Sequence, residues 1–485
     1  MWTRREALLV ALAAVVFGAG LLLRLPGQPM GDEPHYLALA QAIGKYHTFD
    51  PTPVYANEDY REYFPSPIDA HVAVVGGRPV PFHNVGAPLL FALPFLLLGR
   101  LGAHLVILAA ALLTVLNVYR LQRDLGLGAG VATLVAGLFV AGSPLYVYAP
   151  MLFVEPLGML AVVYATRVVL DRGAAPWRVL LAGAGIGYLP WVHGRYAIFP
   201  VLFGVLFVVR RQWAALIPLV LLSGGLEAFN WAMYRSLSPA PGSTDALGEG
   251  LLRLNPLRGL AYLAFDGRFG TAPNFPLLVL AGAGALLTTR RVNAVLLTAT
   301  LPYCLIIATY PNWPGGFSPP GRLLAVCTPL LAYYVGVLLQ RVPGLWLRAA
   351  AALAAAYGYV LALLSDVHPL ERFHWVSDTT NPSLERMAAL AGVPVDRLAL
   401  FAGADDPAFA VCTAAVAIPT VLLWWWGSST TGDIADAREA PARAGLPHAR
   451  MDRGRHGGAA PDPAPGPGAS VRRPGGEHDP GRVAG

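Results

Sequence analysis

The sequence predicts an all-α membrane protein of about 12 transmembrane helices, and three observations carry that prediction. Of 485 residues, 55% are hydrophobic and only 13% charged, with a mean hydropathy of +0.52. That balance excludes an ordinary soluble globular chain. Apolar runs of spanning length recur as far as residue 426, and arginines collect in the short turns between them. The formal charge of +6 therefore reads as membrane orientation and not as a nucleic-acid surface; Lys45 is the only lysine. Cys304, Cys327 and Cys412 lie in or beside predicted spans without paired spacing. They read as small buried hydrophobes, with no disulfide framework or metal site implied.

Ala7 to Leu23, behind Arg4 and Arg5, is the first span, with its N-terminus in the cytoplasm. Residues 24–100 then form a long outer segment. Its leading stretch, GDEPHYLALAQAI from Gly31 to Ile43, puts Asp32 and Glu33 where acids favour a helix N-terminus and Pro34 in the first turn. Tyr36, Leu39, Ala40, Ile43 and Tyr46 recur on one helical face. The helix is too short and polar to span, so it is expected along the membrane surface with its acids leading. VAVVGGRPVPF predicts a hairpin turning at Gly76 and Gly77, with Pro79 and Pro81 confining it to an edge.

Ala87 to Gly99 is apolar but 13 residues long, which favours a surface or re-entrant helix. The remaining spans then fall near 101–119, 129–148, 156–170, 178–192, 196–209, 214–234, 274–289, 292–309, 323–340, 344–364 and 408–426. With that count, Arg120, Arg123, Arg167, Arg172, Arg178, Arg210, Arg211, Arg290, Arg291, Arg341 and Arg348 all face the cytoplasm, as the positive-inside rule asks. Both termini are then cytoplasmic. Residues 1–426 form the membrane domain, and 427–485, rich in Gly, Pro, Ala and Arg without apolar periodicity, form a disordered tail.

This topology gathers the polar residues of interest on the outer side. They are Asp32, Glu33 and His35; His83 and Asn84; Glu155; His193, Arg195 and Tyr196; Asp266 and Arg268; and Trp313 and Arg322 in YPNWPGGFSPPGR. An outward-facing active site follows. Each group has a plainer reading. The acids at 32, 33 and 155 suit helix caps, His83 and Asn84 suit the hairpin end, and Tyr196, Arg195 and Trp313 suit the interfacial belt. Glu227 differs, because an ionisable group inside an apolar run is functional by default.

An acidic pair just past the first span, at the head of a surface helix, resembles the signature of the GT-C superfamily of polytopic glycosyltransferases. That superfamily includes protein O-mannosyltransferases and lipid A aminoarabinose transferases. The resemblance covers roughly residues 1–220 in organisation. WPGGFSPPGRLL is also similar to Trp-Gly-Gly and Gly-x-Arg-Leu patterns of bacterial members. It implies transfer of a sugar, with inversion, from a polyprenyl-phosphate donor to a glycan, lipid or protein hydroxyl at the outer face of the plasma membrane. On that reading Asp32 is the base, with Glu33 supporting or alternate. Arg195 and Arg322 hold the donor phosphate, with His193 and Arg268 behind them. His35, His83, Asn84, Glu155, Tyr196, Asp266 and Trp313 line the cavity. No cofactor is implied; a divalent metal on Asp32 and Glu155 has no ligand spacing behind it. Retention through Glu155 as nucleophile, and transport of a lipid-linked substrate, stand as alternatives.

Overall fold

The computed structural model describes residues 2–238, 255–310, 313, 315–367 and 381–394. The expected span 408–426, Cys412 and the 427–485 tail lie outside these residues.

Helix α1 (Arg4–Arg24) opens the chain with Thr3 and Glu6 in a reciprocal capping box. The outer segment follows as α2 (Glu33–Tyr46), α3 (Thr52–Ala56), the antiparallel pair β1 (Val72–Val75) and β2 (Arg78–Pro81), and α4 (Gly86–Leu98). The hairpin turns at Gly76 and Gly77, both at positive φ, as the sequence predicts. Then come α5 (Arg100–Asp124), α6 (Ala129–Gly142), α7 (Pro144–Tyr148), α8 (Glu155–Leu170), α9 (Pro176–Val192), α10 (Ile198–Val209) and α11 (Leu216–Tyr234). After the break, α12 (Pro256–Phe265), α13 (Thr271–Asn274), α14 (Leu280–Leu286), α15 (Arg290–Ala308), α16 (Thr328–Arg341), α17 (Leu345–Val367) and α18 (Pro382–Ala391) complete the described elements.

Five of these helices are long and apolar enough to cross a bilayer unaided: α1, α5, α11 with its preceding turn, α15 and α17. Other predicted spans are shorter or broken. Residues 129–148 divide at Ser143, whose hydroxyl accepts from the Leu145 amide and starts α7. Residues 274–289 begin at Asn274, the last residue of α13, and continue after Phe275 as a 3₁₀ turn over Pro276–Val279 and α14.

Packing relies on small residues. Gly183 and Gly187, one turn apart on α9, meet the backbone of Ala215 and Leu219 so closely that a Cβ would collide with it. This is the small-xxx-small approach by which helices pack where apolar surface is also acceptable to the surroundings. Apolar side chains left exposed lie on outward helix faces, such as Val201, Val205 and Val209 of α10 and Ile217, Val220 and Leu221 of α11. These faces suit hydrocarbon and not water.

Helix α2 is packed into the fold: every residue from Glu33 to Ala42 is buried, with α4 against it. Its few polar side chains point at partners inside the fold.

Candidate active site

Asp32 and Glu33 are adjacent, yet the fold separates them. Gly31, at positive φ, turns the chain into α2, and Asp32 takes the N-cap position. Its carboxylate makes no capping bond. It accepts from the Arg322 guanidinium instead, at 2.6 Å, so the capping role does not explain it.

Glu33 turns the other way. Fully buried, it is ion-paired to Arg24 at the end of α1 and accepts from the backbone amides of Met30 and Leu152, each at 2.8 Å. A carboxylate this fully saturated ties α1 and α2 to the chain before α8. The geometry therefore gives it an architectural place. Arg24, which sequence reasoning missed, was legible only as an arginine ending an apolar run.

Arg322 is the hub. Its Nε donates to Glu155 Oε1 at 3.1 Å, one terminal nitrogen to Asp32, and the other to the Gly315 carbonyl at 2.6 Å. Its plane lies over the Phe153 ring, 4.6 Å from the centroid. The loop delivering Arg322 is pinned by Tyr148 Oη to the Pro319 carbonyl and Tyr303 Oη to the Leu323 carbonyl, each at 2.8 Å. Gly315 is at φ +92°, and a Cβ there would stand 3.0 Å from Arg322 Cδ.

Glu155 opens α8 with Pro156 in its first turn, as a cap would. Its Oε1 is shared by Arg322 and by Arg195, the latter at 2.6 Å. Glu155 Oε2 and Arg195 Nε are buried with no hydrogen-bond partner among the described residues. Unmet donors and acceptors side by side in a buried cluster are costly unless something else meets them. Arg195 also donates to the Tyr196 hydroxyl at 3.0 Å.

Asn84 fixes the turn that carries Arg195. Its Nδ2 donates to the Pro190 carbonyl at 3.3 Å, and its Oδ1 accepts from the Gly194 amide at 3.1 Å. His193 caps the same turn by accepting from the Arg195 amide. His83 is 2.8 Å from His71, whose ring stacks on His35 at a centroid separation of 3.4 Å, and His35 reaches the Tyr55 hydroxyl at 2.9 Å. This histidine and tyrosine stack flanks Asp32; His71 and Tyr55 carried no motif in the sequence.

Electrostatics agree with the geometry. Burial pushes the Asp32 carboxyl up, but the charge of Arg322 and its hydrogen bond outweigh it and hold the group well below the usual carboxylate range. Burial depresses His83 to about 4 and holds His35 and His193 below the ordinary value, leaving all three neutral at pH 7.

The cluster thus unites Asp32, Glu155, Arg195, Tyr196 and Arg322, with His83, Asn84 and His193 against it. Asp266 and Arg268 sit on a neighbouring loop. Asp266 Oδ1 accepts from the Arg268 and Phe269 amides, and the Arg268 side chain lies 3.6 Å from it. Trp313 packs among Tyr262 and Phe269. That loop meets the Arg322 loop through the Gly321 amide and Phe269 carbonyl, at 2.9 Å.

No protein-family description and no curated protein sequence matches the chain. Among solved structures it is similar to ArnT from Cupriavidus metallidurans bound to undecaprenyl phosphate, at 15% identity and a TM-score of 0.51, over 87% of this chain and 74% of that one. The apo state of the same protein gives 16% identity and a TM-score of 0.45 over the same shares. ArnT is a GT-C glycosyltransferase. The fold of this membrane-embedded chain is GT-C-like, of the ArnT kind.

Proposed function

We propose that this protein is an inverting glycosyltransferase that moves a sugar from a polyprenyl-phosphate donor to an acceptor hydroxyl at the outer membrane face. The observation that carries the reading is the Asp32–Arg322–Glu155–Arg195 chain of ion pairs, buried except at the partly exposed Asp32 and set in a GT-C-like fold. Undecaprenyl phosphate, the lipid on ArnT, is the model for the donor's carrier.

Arg322 has two suitors. Without donor it is held by Asp32 and Glu155, and a carboxylate so held is a weak base. A donor phosphate competes for the guanidinium through the same planar fork. Once Arg322 turns to phosphate, burial of Asp32 is no longer outweighed, and its proton affinity rises as the donor arrives.

Chemistry then follows in one displacement. Asp32 takes the acceptor's proton, the acceptor oxygen attacks the anomeric carbon, and the bond to the phosphate oxygen breaks with its electron pair leaving on phosphate. Arg322 and Arg195 stabilise the charge developing there. Glu155 keeps the two guanidiniums in register. One base is enough for inversion, and a covalent intermediate would need a second carboxylate as nucleophile.

The test uses purified full-length protein with a radiolabelled undecaprenyl-phosphate sugar and a panel of glycan, lipid and peptide acceptors. Label on an acceptor, with the anomeric configuration reversed, supports the reading; retained configuration moves the nucleophile role to Glu155. Label that only crosses a proteoliposome membrane supports transport, a reading favoured by Glu227 in α11, whose buried Oε2 has no hydrogen-bond partner among the described residues.

A further inference from the structure

The end of the bundle away from the Asp32 cluster holds a second polar cavity that the proposed reaction does not use. Helix α8 starts at Glu155 and runs 16 residues to this end, about 24 Å at 1.5 Å per residue. Here the ends of α5, α8 and α10 and the start of α15 surround a cavity of about 410 Å³.

Its charges do not balance. Arg167 is committed to Asp124 and Asn117, and Asp171 takes Arg178 at 2.7 Å. That leaves Arg172, Arg210 and Arg291 facing the same cavity with no hydrogen bond or ion pair among the described residues. Burial, then the like charges of Arg291 and Arg172, lowers the proton affinity of Arg210. Membrane orientation alone asks only for arginines near this face; it does not ask three of them to converge on one hollow.

The walls between them are apolar, including Leu121, Leu170 and Val292. Next to Arg210, α10 shows an exposed strip of Val201, Val205, Val208 and Val209 on its outer face. A ligand matching both features carries a phosphate and a hydrocarbon chain.

We propose that this cavity binds the phosphate headgroup of an anionic phospholipid through Arg172, Arg210 and Arg291, with an acyl chain laid along α10. The site is separate from the donor site and does not depend on the transfer reaction.

The full chain is purified in detergent and equilibrated with phosphatidylglycerol, phosphatidylcholine or inorganic phosphate, and bound ligand is counted by native mass spectrometry. One tightly held phosphatidylglycerol is expected, preferred at least about tenfold over phosphatidylcholine. R172Q/R210Q/R291Q is expected to lose that preference about tenfold or more, at several-fold per arginine. R211Q/R290Q, at the same end but outside the cavity, keeps it. If the triple variant elutes as aggregate, R210Q alone is read, and at least a threefold loss is expected. Equal losses in R211Q/R290Q and the cavity variant, or no preference in the wild type, overturn the site. Phosphate binding that the cavity variant abolishes, with no preference between the two lipids, overturns the lipid assignment in favour of a free phosphate.

Discussion

Asp32 and Glu33 are one peptide bond apart and are expected to fail differently. Asp32→Asn leaves Arg322 its bonds to Glu155 and the Gly315 carbonyl, so the protein stays folded while turnover falls by about 10²–10⁴. Glu33→Gln leaves Arg24 buried beside a neutral amide, a change costing roughly 3–5 kcal/mol. Melting in detergent beside single-turnover transfer separates them; a normal melt for Glu33→Gln or normal turnover for Asp32→Asn contradicts the division. His83 supplies a pH test. Its proton affinity is depressed on folding to about 4, against 6.5 for the free side chain, so between those values the unfolded chain binds more protons. Stability is therefore full above pH 6.5 and declines as pH falls toward 4, on the order of 1–2 kcal/mol by pH 5. His35 and His193, depressed the same way, contribute to the same slope, so His83→Asn should make it shallower in melts across pH 5 to 8, and an unchanged slope removes His83 from its sources. At this scale the sequence showed which residues were chemically capable, because charge in an apolar chain stands out. It did not show that Arg322 joins Asp32, 290 residues away, or that Glu33 would spend itself on Arg24. Pairing at that separation is set by how helices cross, which no local pattern encodes.

Elements place the cluster through a few close approaches. A Cβ on Gly86, at the head of α4, would stand 2.4 Å from the Trp191 carbonyl carbon near the end of α9. Both partners are backbone, so α4 and α9 must part, and Asn84, two residues before, loses its hold on the turn bearing His193 and Arg195. Gly86→Ala should lower the melting temperature by several degrees and weaken transfer. Gly204→Ala on α10, where nothing lies within 4 Å, should stabilise by about 0.5–1 kcal/mol through helix propensity. Equal effects at the two sites would contradict the close-approach account. Hydropathy foresaw most helices here, including 101–119 within α5 and 292–309, which ends one residue past α15. It overran at 129–148 and 274–289, since apolar content continues through Ser143–Pro144 and Phe275–Pro276 while the backbone does not. Turn chemistry, read alongside hydropathy, carried the signal at both breaks.

For the whole molecule the central inference is polarity along the bundle axis: acids and histidines with Arg195 and Arg322 at one end, uncompensated arginines at the other. Moving an arginine through hydrocarbon is costly, so the arginine-rich end should stay cytoplasmic and the Asp32 end should face outward. The β1–β2 turn belongs to the segment leading from α2 into α4, and Gly173 lies between α8 and α9 beside Arg172. In a chain with Cys304, Cys327 and Cys412 replaced by alanine, Gly77→Cys should react with a membrane-impermeant maleimide in intact cells, while Gly173→Cys should react only after permeabilisation. A Cβ on Gly77 meets no atom within 4 Å, so its cost there is the local strain of a positive φ in an exposed turn, and Gly173 is exposed; access at neither position requires a neighbour to move. Labelling in the reverse order would put Asp32, Arg195 and Arg322 on the cytoplasmic side. A lipid-phosphate donor would then have to be used from that face, and the transfer reaction would turn inward with it.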